Sequence, residues 1–300
     1  NPGQSALMHK QPDGVWRLDF QLGWNIDRQA AVQPDNVARY VRAMLGDEVQ
    51  FSEEWYSIYT FQCRRMQRFV HGRVLFAGDS AHLVSPFGAR GCNGGLADVD
   101  NLGWKLDLVM RSDADAGLLE SYNDEAVATA DENILNSTRS TDFLTPKTAA
   151  SRAFRDAVLE LAASEEFARP FVNSGRLSTA IHYPGSGLNT PDAEAWDGGI
   201  APGSPALDAP WNGGWLLGLL GNRFVLLANG WRGGALPKGI ELIDVAAQGA
   251  DSPLLRERYQ LAPGAAYLIR PDQYVAARWR QAPSAAQLQA SLDLAKGVQP

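Results

Sequence analysis

Hydrophobic and polar residues alternate strictly from Trp16 to Leu22, where Trp16, Leu18, Phe20 and Leu22 are separated by Arg17, Asp19 and Gln21. A period of two is that of a half-buried strand, and Pro12-Asp13-Gly14 just before it reads as a tight turn. Residues 5–23 are therefore expected to form a hairpin. From Pro34 the period lengthens, with Val37, Tyr40, Val41, Met44 and Leu45 at helical spacing and Gly46 in the usual terminating position. Alternation returns at Trp55, Ser57, Tyr59 and Phe61 against Tyr56, Ile58 and Thr60, which predicts another strand of the same sheet.

Val74-Leu75-Phe76-Ala77 is a short apolar run ending in Gly78-Asp79, followed by a glycine-rich stretch from Pro86 to Gly95. The helical period then begins, and Leu96, Val99, Leu102, Leu106, Val109 and Met110 mark one stripe of a helix reaching about Arg111. Further helices are expected over 117–135 and 147–163, the second started by Thr145-Pro146 with Ala150, Phe154, Ala157, Val158 and Leu161 on its buried face. From about 170 the chain is rich in Gly, Pro and Trp, and Pro184-Gly185-Ser186-Gly187 suggests a domain boundary. Beyond it Phe224–Ala228, Ile240–Val245, Ala266–Ile269 and Tyr274–Ala277 read as strands, and Ser284–Lys296 as a helix that ends at Gly297.

Composition narrows the function classes. Three hundred residues, 45% of them hydrophobic, suffice for about two domains with real cores. A net charge of −7 without a Lys/Arg run gives no footprint for a phosphate backbone, so nucleic acid is not an expected partner. No stretch approaches the roughly 18 apolar residues of a membrane span, and no signal pattern opens the chain, so a cytoplasmic protein is expected. Cys63 and Cys92 form no CxxC pair, so neither a disulfide framework nor a thiol redox motif is indicated. His9, His71 and His182 lack metal-ligand spacing, and no metal is assigned. The opening Asn1-Pro2-Gly3 runs at once into strand-like sequence, so the chain is read as a fragment.

The candidate chemistry lies between Gly72 and Leu106. A carboxylate at the C-terminal end of a strand sits where open α/β sheets bind ligands, and Asp79 there can accept hydrogen bonds from ribose or ribityl hydroxyls. Gly88, Gly91, Gly94 and Gly95 let the backbone approach a flat ligand, and the following helix N-terminus favours negative charge on it.

Gly78-Asp79-Ser80-Ala81-His82, then Pro86 through Gly95, then Asp98-Val99-Asp100-Asn101-Leu102-Gly103-Trp104-Lys105-Leu106 resemble the second FAD-binding motif of the FAD-dependent aromatic-ring hydroxylases. Phe171 to Ser178 and Arg270-Pro271-Asp272-Gln273-Tyr274-Val275-Ala276 are similar to stretches of the phenol and hydroxyphenylpropionate hydroxylase branch, and the resemblance covers about residues 5–296. It implies a mixed α/β and α+β chain. Residues 1–70 would be part of a substrate-domain sheet, 71–184 the remainder of an FAD-binding Rossmann-like domain, and 185–300 a thioredoxin-like domain. It implies FAD as cofactor, NAD(P)H as reducing co-substrate and a small phenolic substrate, and it leaves a homodimer open. The GxGxxG segment of the family is absent. Gly78, Asp79, Pro86, Gly88, Gly91, Cys92 and Asn93 are implied to contact the cofactor, with Pro86 and Phe87 nearest the reacting face. Arg90 and Cys92 depart from the family's usual Gln or Lys and Met or Leu, and Val99 from its Ala, changes that leave the backbone-amide role intact. The resemblance equally admits a halogenase, epoxidase or reductase of the same fold, or a non-catalytic piece with a structural thioredoxin-like module.

Several other residues have plainer readings. Cys92 is a small loop residue rather than a nucleophile, and His82 packs or hydrogen-bonds to the loop rather than moving protons. Tyr56, Tyr59 and Phe61 fill the sheet's core or flank rather than touch substrate, while Arg64 and Arg65 are solvated or salt-bridged.

Overall fold

The computed structural model describes residues 5–23, 25–172, 178–247 and 252–298. Along the chain run β1 (Ala6–Lys10), β2 (Trp16–Phe20), α1 (Arg28–Ala31), α2 (Pro34–Leu45), β3 (Arg64–Arg65), β4 (Val70–His71), β5 (Val74–Leu75) and β6 (His82–Leu83). Helices α3 (Arg90–Met110), α4 (Leu118–Leu144), α5 (Ala149–Ser164) and α6 (Arg169–Val172) follow. The remainder comprises β7 (Pro210–Trp211), β8 (Gly214–Trp215), β9 (Phe224–Ala228), β10 (Ile240–Asp244), α7 (Pro253–Tyr259), β11 (Ala266–Ile269), β12 (Val275–Trp279) and α8 (Ala285–Ala295). The chain divides into two compact units, one of Asn1–Cys63, Val84–Gly88 and Asn136–Arg176, the other of Arg64–Leu83, Ala89–Leu135 and Leu177–Pro300. Residues 184 and 185, where a boundary was expected, both fall in the second.

In the first unit β1 and β2 pair antiparallel, Ala6 opposite Phe20 and Lys10 opposite Trp16, as the alternation predicts. Asp13 and Gly14 make the turn with φ of 59° and 76°, values that Asp and Gly tolerate. Helix α2 begins at Pro34 and ends at Gly46, whose φ of 96° requires glycine. Residues 55–61 form no strand. Their aromatics are exposed, Trp55 at 82%, because no described backbone pairs with them and an unpaired strand lacks its ladder. Tyr56, Tyr59 and Phe61 therefore fill no core. The helix expected from Thr145-Pro146 starts at Ala149, where Thr148 caps the Ser151 amide. Of its predicted buried face only Val158 is buried, and Phe154 and Leu161 are exposed.

The second unit is built on a four-stranded sheet in the order β10-β9-β11-β12, with β10 parallel to β9 and the other two pairings antiparallel. Alternate residues of β9 enter two cores. Val225 and Leu227 meet Trp211, Leu216, Tyr259 and Tyr267, while Phe224, Leu226 and Ala228 meet Trp104, Leu288 and Leu292. Burial on both faces explains why this strand is a continuous apolar run.

A smaller core of Phe69, Val70, Ala81, Tyr122, Ala126 and Ala130 joins the segment before α3 to α4. Tyr122 donates to the Phe76 carbonyl at 2.7 Å and Asn123 accepts from the Phe69 amide at 2.8 Å, which fixes that segment.

The buried side of α3 differs from expectation. Gly94, Asp98, Asn101, Trp104 and Lys105 are buried, whereas Leu96, Val99 and Met110 of the predicted apolar stripe are exposed. The polar side is accommodated by an ion network. Arg270, on the β11–β12 turn and fully buried, donates to both oxygens of Glu125 at 2.7 and 2.9 Å and to Asp272 at 2.9 Å. Lys105 donates to Glu125 at 2.7 Å and to Asn101 at 2.8 Å, and the Trp104 indole N–H donates to Asp272 at 3.0 Å. Two cations thus face two carboxylates. Burial pushes the Lys105 ammonium down to about 8. Burial alone would raise the Glu125 carboxyl, but Arg270 and Lys105 more than offset it and hold the group well below its ordinary range.

Candidate functional site

Gly78, Asp79 and Ser80 form a single 3-10 turn, not the end of a long strand, since β5 stops at Leu75. Gly78 has φ of 58°, a left-handed conformation that lets the chain reverse, and the Ala81 amide closes the turn on the Gly78 carbonyl at 2.8 Å. The Ser80 hydroxyl is committed to the Ala77 carbonyl at 2.7 Å. Asp79 is exposed, and its carboxylate makes no hydrogen bond or ion pair among the described residues. It is therefore a charged acceptor left available for a ligand.

The glycine-rich stretch is not all loop. Helix α3 already begins at Arg90, so Gly91, Cys92, Asn93, Gly94 and Gly95 are helical, one turn and more before the expected start. Ala89 precedes it in the left-handed region with φ of 52°, and the Asn93 side chain donates to the Ala89 carbonyl at 2.7 Å. Glycine is a poor helix former, but here the tertiary fit overrides propensity. A Cβ on Gly95 would lie 3.5 Å from the Gly78 Cα, so helix and turn meet backbone to backbone. A Cβ on Gly94 would lie only 3.2 Å from His82 Cε1 and 3.3 Å from Asn133 Nδ2.

Asp98 was part of the motif but received no role from sequence reasoning. It is buried, and its Oδ2 accepts from the Gly78 amide at 2.8 Å and contacts His82 Nε2 at 2.6 Å. His82 is stacked on Phe69 with ring centroids 5.7 Å apart, and its neighbourhood is packed as the plain reading expects. Arg65 forms a two-pronged pair with Asp131 at 2.6 and 2.7 Å, the salt-bridged outcome foreseen for it.

Of the implied cofactor contacts, Gly78, Asp79, Gly91, Cys92 and Asn93 lie in the second unit, with Cys92 and Asn93 exposed in the first turns of α3. Pro86, Phe87 and Gly88 lie in the first. There the adjacent Ser85 hydroxyl is buried against Ser137 at 2.5 Å and Thr141 at 2.7 Å, which pins the start of that loop to the end of α4. Asn173 to Leu177 of the Phe171 to Ser178 stretch lie outside the described residues. No group of three or more His, Cys, Asp or Glu could hold a metal among the described residues, and no helix is long and apolar enough to cross a membrane.

An exposed, uncommitted carboxylate on a glycine turn, packed without side chains against the first turns of a 21-residue helix, fits a ligand carrying both hydroxyls and negative charge. Known proteins were compared with the whole chain. Residues 8–137 match the family model described as FAD binding domain. A monooxygenase of Claviceps purpurea is 32% identical over 195 residues, covering 62% of this chain and 38% of that protein. The 3-(3-hydroxy-phenyl)propionate/3-hydroxycinnamic acid hydroxylase of Comamonas testosteroni is 30% identical over 159 residues, covering 53% of this chain and 27% of that protein. The chain thus spans well under half the length of these curated relatives. The crystal structure of the flavin-dependent monooxygenase PieE in complex with FAD and substrate superposes with a TM-score of 0.78 over 99% of this chain and 60% of that one, at 22% identity, a likeness of fold. Residues 8–137 thus match an FAD binding domain, and the chain is similar in sequence to a 3-(3-hydroxy-phenyl)propionate/3-hydroxycinnamic acid hydroxylase.

Proposed function

We propose that this chain is part of a flavoprotein monooxygenase that hydroxylates a phenolic aromatic substrate with NAD(P)H and O2. The observation that carries the reading is the Gly78-Asp79 turn, whose exposed carboxylate makes no hydrogen bond or ion pair among the described residues and stands where the turn meets α3. In this reading Asp79 accepts from the ribityl or ribose hydroxyls of FAD. The first amides of α3, at Gly91, Cys92 and Asn93, favour negative charge on the ring system. Gly78 allows close backbone approach. Bound FAD supplies the transfer of one oxygen atom of O2 to an electron-rich ring, with electrons from NAD(P)H.

The sheet order β10-β9-β11-β12 followed by α8 supports a thioredoxin-like reading of the C-terminal region. Residues 185–300 contain no cysteine, so its role there is structural. The exposed apolar residues Leu96, Val99 and Met110 on α3, with Trp55 and Tyr59, support the reading that further chain, including the GxGxxG segment, completes the enzyme.

The test is oxidation of NADH and NADPH by the purified protein with and without a panel of phenols, with 18O2 incorporation read by mass spectrometry. Substrate-dependent hydroxylated product is expected, and its absence across the panel in FAD-loaded protein would refute the reading. Asp79→Ala should weaken FAD roughly ten- to hundredfold, since a hydrogen bond to a charged group contributes about 1.5–3 kcal/mol. Cys92→Ala should bind FAD like the parent, because only its backbone is assigned a role.

A further inference from the structure

We propose that Asp98 is a positioning residue for the cofactor turn. Its buried carboxylate, carried on α3, holds both ends of the Gly78–His82 segment and so sets the direction in which Asp79 presents its own carboxylate. This rests on the reading of Asp79 as an FAD ligand.

The grip is made by one oxygen. Asp98 Oδ2 accepts from the Gly78 amide at 2.8 Å and lies 2.6 Å from His82 Nε2, so it bridges the first and last residues of a five-residue stretch. A carboxylate only accepts, so the imidazole proton lies on Nε2 in this contact. The turn's other hydrogen bonds do not replace it. Ala81 binds the Gly78 carbonyl and Ser80 binds the Ala77 carbonyl, which leaves the Gly78 amide, on the peptide preceding Asp79 by one residue, in the hands of Asp98.

His82 has no room to swing away. Its ring is stacked on Phe69 on one side, and Gly94 approaches so closely that a Cβ there would stand 3.2 Å from it. The left-handed Gly78 supplies no side chain of its own to limit rotation, so an external tether is what fixes its orientation.

The second carboxylate oxygen argues that the group serves placement rather than stability alone. Asp98 Oδ1 is buried and has no hydrogen-bond partner among the described residues. A buried acceptor without a partner costs stability. A neutral residue making one bond to Gly78 would avoid that cost, but it would lose the charge-assisted hold on His82.

The experiment compares Asp98→Asn, His82→Asn and Asp79→Ala with the parent. FAD affinity is read by flavin fluorescence titration, Gly78 amide exchange by NMR in the FAD-stripped protein, and folding by circular dichroism. Asp98→Asn should keep its helical content, weaken FAD roughly ten- to hundredfold and speed Gly78 exchange at least about tenfold, from the loss of charge-assisted bonds. His82→Asn should weaken FAD less, and a variant carrying both Asp98→Asn and His82→Asn should be no worse than Asp98→Asn alone, because both act through one oxygen. A purely structural Asp98 would lower the unfolding midpoint and leave FAD affinity and Gly78 exchange of the folded protein unchanged, which overturns the inference. If Asp79→Ala weakens FAD and Asp98→Asn does not, the inference fails while the assignment of Asp79 stands. If neither weakens FAD, that assignment fails and the role proposed for Asp98 falls with it. Should Asp98→Asn not fold, His82→Asn decides, and parent-like FAD affinity in that variant refutes the two-ended grip.

Discussion

Replacing Arg270 by methionine should destabilise the second unit more than any surface change. The side chain is fully buried and makes four hydrogen bonds, two to Glu125 and two to Asp272. Methionine fills much of the same volume, so the loss is electrostatic. The network goes from two cations and two carboxylates to one cation and two carboxylates, with only Lys105 left to face them. Removing one partner from a buried pair costs about 3–5 kcal/mol, because an uncompensated charge stays behind. That is a large share of the roughly 5–15 kcal/mol that holds a domain together. Arg270→Lys, which retains charge but not the planar fork, should fall between parent and Arg270→Met. Urea unfolding followed by tryptophan fluorescence measures all three. A loss below about 1 kcal/mol for Arg270→Met, on the scale of exposed ion pairs, would show that the network is solvated and the reasoning wrong.

Acid should reveal the same network. Glu125 has its folded-state pKa far below the ordinary 4.5, so its contribution is complete above that value and is lost progressively as pH falls below it, when the unfolded chain takes up a proton that the folded chain resists. Lys105 is protonated in both states there and adds nothing to this slope. Between pH 5 and 3 the parent should lose more stability than Glu125→Gln, and equal losses would refute the assignment. On α3, a Cβ at Gly103 meets nothing within 4 Å, so Gly103→Ala should stabilise by about 1 kcal/mol through helix propensity alone. Gly94→Ala should give no such gain, because His82 and Asn133 are buried and must yield. Thermal melts rank the two, and the reverse order would contradict the packing described.

What the sequence revealed was what local spacing controls. The β1–β2 hairpin, α2, the four strands of the C-terminal sheet and α8 all follow from period, capping and turn residues, within a residue or two at most ends. The errors have a common cause. Residues 55–61 alternate like a strand, but alternation cannot supply a partner ladder. Glycines 91, 94 and 95 look like loop, yet they are helical; the Gly78 turn packs where a Gly95 side chain would be, and His82 and Asn133 where a Gly94 side chain would be. Hydrophobicity predicts the α3 stripe, whereas Asn101 and Lys105 are buried because partners distant in sequence, Glu125 and Asp272, satisfy them. At the candidate site the Gly-Asp pair was legible from its motif. The role of Asp98 was not, since its bonds to Gly78 and His82 span 20 and 16 residues.

The ion network also constrains how this sequence can change. Lys105, Glu125, Arg270 and Asp272 are separated by up to 167 positions in the chain, yet a substitution at any one strands a charge that the other three were balancing. Drift at these four sites is therefore blocked one step at a time and open only to concerted replacement. A chimera that exchanges the C-terminal sheet between relatives should fold only when the helix residues at 105 and 125 travel with the Arg270-Pro271-Asp272 turn. The three segments act energetically as one unit, although the chain writes them far apart.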